Sequence, residues 1–531
     1  MNNAESEPHV AGGSFLTCDH PSFATPEQLS PEARLMAKTM EDFVRKEVLP
    51  VNDRLQRHEA GLMHSLLGKA GALGLLAGTS PERYGGLELP KTEAAHLAER
   101  AGIELSWAIS SNVQSGIALY PVLLFGTEEQ RALYVPGIAS GEKIAAFALS
   151  EANSGSDALG AQSRAVAVRD GYVLNGSKMW ITNAAFADVF TVFAQLEGHG
   201  FTAFLMDRDS PGLTVEKEEH KLGLHGSSTC RLTLENVRVP SAGLLGEPGK
   251  GYRPALHALN YGRLNIGVIS LGASKEALRI ATQYAKERKQ FGQSLASFGM
   301  IQYKLAEMAI RILALESMIY RTAGLMEGAA SDEFAIECAI VKFIGSETLD
   351  YVVDEAVQIH GGFGYSEEFA VARMYRDARV FRIFEGTNEI NRLTVTEQLA
   401  RRASAGRIPL FEAVESGVAG AGWADALRAS AFAAILANRP AWPKLAAEQE
   451  VCGAIADLVG LTYAVQSMGA RSRGSDLMRA GFEAFASSAL DSAVGLARFA
   501  GAEAVAGPRA DGAALRREVA AAVLDRSGYP W

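Results

Sequence analysis

Near Ala161 the hydrophobic pattern of this chain changes period, and after Pro248 it changes back. On either side apolar residues recur at helical spacing, about every 3.6 residues, while between them β-branched and aromatic runs follow the two-residue alternation of a pleated strand. A helix and a sheet bury their apolar surface in different ways, so the chain must build a β unit framed by helical ones. Residues 165–168 and 172–174 flank Asp170-Gly171, and 172–174 runs into Asn175-Gly176. Segments 188–193, 201–206 and 231–239 read as further strands. Asp-Gly and Asn-Gly between such runs predict tight hairpin turns. No helical stretch interrupts them, which excludes a βαβ nucleotide fold.

The flanks read as helices. Residues 60–76 form one with small side chains, closed by Gly78, and 94–103 and 127–134 form others. Thr127 is a good N-cap, with Glu128 and Glu129 suited to the first-turn dipole. Ile266, Ile269, Ala273, Ala277, Ile280 and Tyr284 step by three or four along one face of a long helix, and 300–326 and 333–359 repeat the pattern. From about Ala405 the sequence turns Ala-rich and helical, with a break at Arg439-Pro440-Ala441-Trp442-Pro443. The fold expected is α+β and multidomain: a disordered tail over 1–30, an N-terminal α-helical domain over 31–148, and a small antiparallel β domain over 149–245. A four-helix bundle over 246–400 and an additional C-terminal helical domain over 401–531 complete it.

A hydrophobic share of 48% over 531 residues allows sizeable cores, and the net charge of −10 weighs against nucleic acid as a partner. Cys18, Cys230, Cys338 and Cys452 are far apart, so they suggest neither a disulfide framework nor a metal site. No apolar run reads as long enough to span a bilayer. The first two dozen residues hold Glu5, Glu7 and Asp19 but no Lys or Arg, the wrong balance for a secretory or transit peptide. A cytoplasmic location is expected.

Five short segments carry candidate chemistry. In Arg382-Ile383-Phe384-Glu385-Gly386-Thr387-Asn388-Glu389, one carboxylate lies between an apolar pair and a glycine. An apolar flank disfavours the charged carboxylate, which suits a general base, and Gly386 lets a ligand approach the backbone. The same residues equally make an ordinary helix entry. Leu149-Ser150-Glu151-Ala152-Asn153-Ser154-Gly155-Ser156-Asp157 offers hydroxyls beside a glycine to a planar ligand, or is a polar turn. Trp180 and Thr182, two apart on a strand, share a face: an aromatic wall beside a hydroxyl, or a core residue and its neighbour. Arg288-Lys289-Gln290-Phe291-Gly292 suits a diphosphate and an adenine, or is a basic helix terminus. Gln358-Ile359-His360-Gly361-Gly362 follows no strand, so it is no dinucleotide fingerprint; it reads as a glycine C-cap or a close backbone approach to phosphate.

Taken together and in order, these blocks resemble the acyl-CoA dehydrogenase family over roughly residues 35–400, along with Lys178-Met179-Trp180-Ile181-Thr182-Asn183 and the stretch from Lys221 to Pro240. Asn260-Tyr261-Gly262-Arg263, Ser297-Phe298-Gly299-Met300-Ile301-Gln302 and the extra C-terminal domain are most similar to the very-long-chain branch. The resemblance implies FAD as cofactor, an acyl-CoA substrate, an electron-transferring flavoprotein as acceptor and a homodimer. Glu385 matches the catalytic base, whose own backbone N–H helps hold the thioester oxygen in that family. Leu149, Ser150, Ser156, Trp180 and Thr182 match groups around the flavin ring. Arg288, Gln290, Phe291, Gln358, Gly361 and Gly362 match contacts to the FAD of a neighbouring subunit, and Thr387 and Glu389 match diphosphate and adenosine contacts. Ser156, Arg263 and Gly386 match positions near the acyl-CoA. Gly299, where many short- and medium-chain relatives carry Gln, implies long acyl chains.

Three residues depart from the family pattern: His225 stands where Arg is common, Ser163 for a usual Thr and Ala152 for a usual Pro. The C-terminal extension holds few lysines, so the membrane attachment of the mitochondrial enzymes does not transfer safely, and membrane association stays open. Three alternatives stay open at this point: an acyl-CoA oxidase with the same base and oxygen as acceptor, a non-catalytic scaffold member of the family, and a flavin enzyme with a different small substrate such as a thioester on a carrier protein.

Overall fold

The computed structural model describes residues 11–18, 23–440, 445 and 447–531. They pack as two compact units whose boundaries cross the domain divisions expected from sequence. One unit comprises Leu29–Ala273 and Ala372–Gly386; the other comprises Met1–Gln28 (described from Ala11), Ser274–Val371 and Thr387–Trp531.

The first unit joins N-terminal helices to the sheet. Pro31–Phe43 starts with a proline, where the N–H has no helical partner, and Ser30 Oγ accepts from Ala33 N–H. Lys91–Ala101 and Leu105–Asn112 follow, the latter capped by Glu104, whose carboxylate accepts from Trp107 N–H at 2.7 Å. Thr127 and Gln130 form a capping box at the head of Glu128–Ser140. The strands are β1 (Ala145–Ala148), β2 (Arg164–Val168), β3 (Gly171–Thr182), β4 (Val189–Leu196), β5 (Gly200–Asp207), β6 (Leu213–Glu218), β7 (Thr229–Pro240) and β8 (Leu244–Leu245). Their order is β6-β7-β3-β2-β4-β5-β8, with β1 also on β4. Most pairings are antiparallel as expected, but β1 and β2 both run parallel to β4. Phe190, Phe193 and Phe204, fully buried, anchor the sheet's core.

Asp170-Gly171 turns between β2 and β3 as expected, whereas Asn175-Gly176 is no turn. It lies inside β3, where the register to β7 shifts between Leu174 and Gly176. Asn175 and Asn236 exchange hydrogen bonds across this irregularity. Gly176 is required by crowding: a Cβ there would sit 2.7 Å from Ser163 Cα. An Asn-Gly pair reads the same for a bulge as for a turn, because both need a glycine's freedom.

In the second unit, the helices expected to form a bundle and those expected to form a separate C-terminal domain share one packing core. Gln449–Arg471 packs on Gly299–Leu325 and on Asn388–Ser404. Arg392 ties them with charge, reaching Glu347 and Asp457 at 2.8 Å each. Arg471, buried, holds Glu316 at 2.6 Å and Glu27 at 2.5 Å. The expected break at Arg439 follows the helix Trp423–Asn438, and residues 441–444 lie outside the described residues.

The expected disordered tail is corrected over 11–18: Phe15 and Leu16 are buried, and Phe15 meets the Tyr463 ring at 4.7 Å. Gly13 N–H donates to Glu337 at 2.7 Å, and a Cβ on Gly12 would lie 2.0 Å from the Glu333 carbonyl oxygen. Two glycines let this backbone lie against the helices, and its apolar pair then gains burial. Residues 1–10 and 19–22 of that tail lie outside the described residues. A second correction concerns hydropathy. The segments Leu105–Phe125 and Gln449–Arg471 are long and apolar enough to cross a membrane, but 78% and 72% of their windows are buried within the protein, so they serve as core helices.

Candidate active site

Glu385 lies on a bend just before the helix Asn388–Ser404. Its backbone is left-handed at φ 55°, followed by Gly386 at φ 80°. A non-glycine residue held there stores strain of about 1–3 kcal/mol, which persists where the surroundings fix the side chain's direction. The partner that admits this carboxylate is Gly262: a Cβ on Gly262 would sit 2.8 Å from Glu385 Cδ and Oε2, and 2.9 Å from Ile117. Arg263 Nε donates to the Glu385 carbonyl at 3.4 Å, and its Nη1 donates to Asn260 Oδ1 at 3.1 Å. Arg263 thus holds the backbone of Glu385. The apolar flank expected from Ile383 and Phe384 is corrected in part. Ile383 is exposed and Phe384 packs on Phe381 at 5.0 Å, while the carboxylate lies against Gly262. The reason is the left-handed turn, which points Glu385 away from its sequence neighbours.

Beside this carboxylate is a pocket of about 730 Å³ including its mouth, lined among others by Ala98, Ala101, Ser111, Asn112, Tyr261 and Asn265. Tyr120 and Tyr261 stack there at 4.0 Å, and the Lys91 ammonium lies 4.9 Å from the Tyr261 ring centre. Tyr261 and Asn265 bracket Gly262 on the helix Tyr252–Glu287, so pocket and carboxylate share one stretch of that helix.

The second surface is the end of β3. Between Lys178 and Ile181 its register to β7 slips, and Trp180 adopts φ 64°. This bulge resets the alternation. Lys178 and Ile181 are buried, while Trp180 is 55% exposed and Thr182 half-buried. A regular strand with Lys178 inward would have turned Trp180 and Thr182 inward too. Asn183, also left-handed and buried, anchors the strand's end by donating to Ser110 O at 3.0 Å.

Behind this face lies an ion pair that sequence reading passed over. Lys178 Nζ, fully buried, meets Glu151 Oε1 at 2.6 Å and Leu149 O at 3.2 Å. Glu151 also accepts from Gln162 and Ser163 N–H, and Met179 N–H donates to Ser150 O at 2.9 Å. The loop carrying Leu149, Ser150 and Ser156 is thereby clipped to β3 beside Trp180. Burial works to raise the Glu151 carboxyl, but hydrogen bonds from Lys178 and Ser163 outweigh it and hold it below the usual range. The signal was a lysine in a strand, which reads as solvated unless its partner is known. At the departure from the family pattern, His225 Nε2 meets the Lys221 carbonyl at 2.7 Å and closes its own loop.

Acyl-CoA dehydrogenase domain models match this chain in order: the N-terminal domain over 30–142, the middle domain over 146–237 and the C-terminal domain over 249–400. A "Probable acyl-CoA dehydrogenase" of Bacillus subtilis is 43% identical over 86% of this chain and 83% of its own length. The chain belongs to the acyl-CoA dehydrogenase family. Its members are oxidoreductases acting on a CH–CH group. The very long-chain specific enzyme of Bos taurus is 40% identical over 74% of this chain and 63% of its own. A crystal structure of an acyl-CoA dehydrogenase complexed with FAD from Bacillus anthracis superposes with a TM-score of 0.93 at 39% identity, covering 98% of this chain and all of that one. The C-terminal helices beyond residue 400 are therefore a shared part of this architecture.

The remaining candidate residues of this acyl-CoA dehydrogenase lie in the other unit. Phe291 and Gly292, at φ 52° and 78°, turn a two-residue hairpin between Lys289–Gln290 and Gln293–Ser294, with Phe291 93% exposed at its tip. Arg288 reaches the Phe363 ring at 5.5 Å, which brings the hairpin to the glycine turn after Gln358. Gln290, Gln358, Gly361 and Gly362 are exposed, and nothing lies within 4 Å of a Cβ on either glycine. Thr387 Oγ1 caps the helix Asn388–Ser404 by accepting from Ile390 N–H at 3.2 Å. The carboxyl of Glu389 is held below its usual range by its own backbone N–H, with Thr387 adding to this. The unit boundary falls between Gly386 and Thr387, so the short segment read as a single site is divided.

Gly262 gives a direct test of this carboxylate's seat. Gly262→Ala should lower turnover about 10²-fold through misplacement of the carboxylate, with circular dichroism unchanged. Wild-type turnover in that variant would show that Glu385 needs no such seat.

Proposed function

We propose that the protein removes two hydrogens across the α,β bond of an acyl-CoA thioester, giving the trans-2-enoyl product, with Glu385 as the base that takes the Cα proton. The observation that carries this reading is the seat of Glu385: a strained, left-handed carboxylate laid on Gly262, whose helix neighbours Tyr261 and Asn265 line a pocket. A base held this way meets the substrate without reorganising, so its strain is spent before the reaction begins. Arg263 keeps the base's carbonyl in place.

FAD, when bound, supplies a hydride acceptor. Exposed Trp180 offers a flat apolar face beside Thr182, and the fixed loop of Leu149, Ser150 and Ser156 offers a polar rim; these fit a flavin ring. Exposed Arg288, Gln290 and Phe291, with the open glycines 361 and 362, fit the diphosphate and adenosine of a cofactor held by a second copy of the chain. The proposal accordingly includes a homodimer, with an electron-transferring flavoprotein as acceptor and a role in fatty acid oxidation. Chain length rests on the very-long-chain resemblance. Gly299, which suggested it, opens the helix Gly299–Leu325 with only open space at its Cβ position and is not a lining residue of the pocket.

Anaerobic titration of the holoenzyme with acyl-CoAs of increasing length tests the reading. Visible flavin absorbance should bleach with at least one of them. Turnover should then require an electron-transferring flavoprotein and release little peroxide in air. Absence of bleaching with every chain length would sink the reading.

A further inference from the structure

The pocket beside Glu385 is lined in an unexpected way. An aliphatic chain calls for an apolar wall, since each methylene gains from leaving water only where nothing polar is stripped of its partners. Yet two carboxamides face this space. Asn112, 8% exposed, ends the helix Leu105–Asn112, and Asn265 lies half-buried three residues after Gly262. Both line the pocket. They converge: a Cβ on Gly116 would lie 3.3 Å from Asn112 Oδ1 and 3.3 Å from Asn265 Nδ2. Among the described residues neither side chain has a hydrogen-bond partner, whereas nearby Ser111 and Ser115 donate to backbone carbonyls and are satisfied. A carboxamide brings two donors and an acceptor oxygen, and leaving such a group buried and unpaired costs about 1–3 kcal/mol. Water can meet that need in an open pocket, but a hydrocarbon chain displaces water and returns nothing.

We infer that this pair recognises an oxygen function on the acyl chain, so that the preferred substrates are acyl thioesters bearing a hydroxyl or oxo group a few carbons beyond Cβ. The inference rests on the dehydrogenase reading above and names its substrate class. Three residues of helix separate Asn265 from Gly262, a rise of about 4.5 Å, so the amides stand roughly one helical turn from the reacting carbons. A hydroxyl donates to one amide oxygen and accepts from the other amide's N–H; an oxo group accepts from both. Neither asks anything new of the chemistry, because the substituent stays unchanged while Cα and Cβ lose their hydrogens. Selectivity arises because a chain lacking the oxygen leaves the amides dry and unpaired, the asymmetry by which polar pockets reject apolar analogues.

The test uses the FAD-loaded full chain with octanoyl-CoA and with hydroxyoctanoyl-CoAs carrying the hydroxyl at successive carbons beyond Cγ. The expected result is a kcat/KM at least about tenfold higher for one hydroxylated isomer than for octanoyl-CoA. Asn112→Leu and Asn265→Leu should each abolish that preference by raising kcat/KM for octanoyl-CoA and lowering it for the hydroxylated isomer. Asn265 is half-buried, so its variant keeps the test open should Asn112→Leu fold poorly. A wild-type preference for octanoyl-CoA over every isomer would overturn the inference, as would a preference that both variants leave intact. In either case, flavin bleaching by octanoyl-CoA leaves the dehydrogenase reading standing. Failure of every thioester to bleach the flavin overturns that reading, and the inference with it.

Discussion

Glu385→Gln is expected to keep its flavin and lose about 10³-fold or more in turnover, roughly 4 kcal/mol of transition-state stabilisation. The substitution is nearly isosteric, so the side chain still fills the space over Gly262, and Arg263 still holds the residue's carbonyl. What disappears is the lone pair that takes the Cα proton, because an amide is no base at neutral pH. The loss should fall on kcat more than on KM, since the interaction removed matters mainly once the proton is in transit. Two measurements decide it: flavin absorbance per protomer, expected unchanged, and the anaerobic rate of flavin bleaching by acyl-CoA, expected to collapse. A variant that bleaches near the wild-type rate would mean that another group takes the proton.

Lys178→Met is expected to destabilise the protein by about 3–5 kcal/mol, the usual range for removing one partner of a buried ion pair. The ammonium is fully buried, and its loss leaves the carboxylate of Glu151, itself 7% exposed, with only the N–H groups of Gln162 and Ser163. The loop of Ser150 should loosen with it, so flavin affinity falls alongside stability. Urea denaturation midpoints measure the first effect and flavin retention on dialysis the second. The double variant Lys178→Met, Glu151→Leu should recover much of the stability, because two apolar side chains replace a charge left alone. A pH series adds an independent sign. Glu151 is held below the ordinary carboxylate range in the folded protein. Its contribution is therefore complete above the unfolded carboxyl value and is lost as pH falls through the depressed one. That acid-side loss should be absent from the double variant. A single variant as stable as wild type would mean that the pair is dispensable.

Candidate residues could be picked from the sequence because they lie in short segments with strong local preferences. Gly386 after Glu385 and the glycines after Gln358 each announce an open or unusual backbone, and the structure gives left-handed or exposed conformations at these places. What was not legible depends on residues far apart in the chain. Lys178 reads as an ordinary strand lysine until Glu151 folds over it. Gly262 looks like an unfavourable residue in a helix until Glu385 is laid against it. Asn112 and Asn265 lie more than one hundred and fifty positions apart, and no local pattern marks them as facing one pocket.

Sequence alone determined the succession of helix, sheet and helix, because hydrophobic period reports which face of each segment must be buried, and that property is local. It also determined which residues carry candidate chemistry. Tertiary structure alone decided three further matters. It set the parity of β3, where a bulge turns Trp180 outward. It folded Phe15 and Leu16 of the expected tail into the second unit. It also merged the C-terminal helices with the bundle instead of leaving them a domain apart. The physical reason is the same in each case. Bulges, docked termini and shared cores depend on what lies opposite a residue, and that partner comes from elsewhere in the chain.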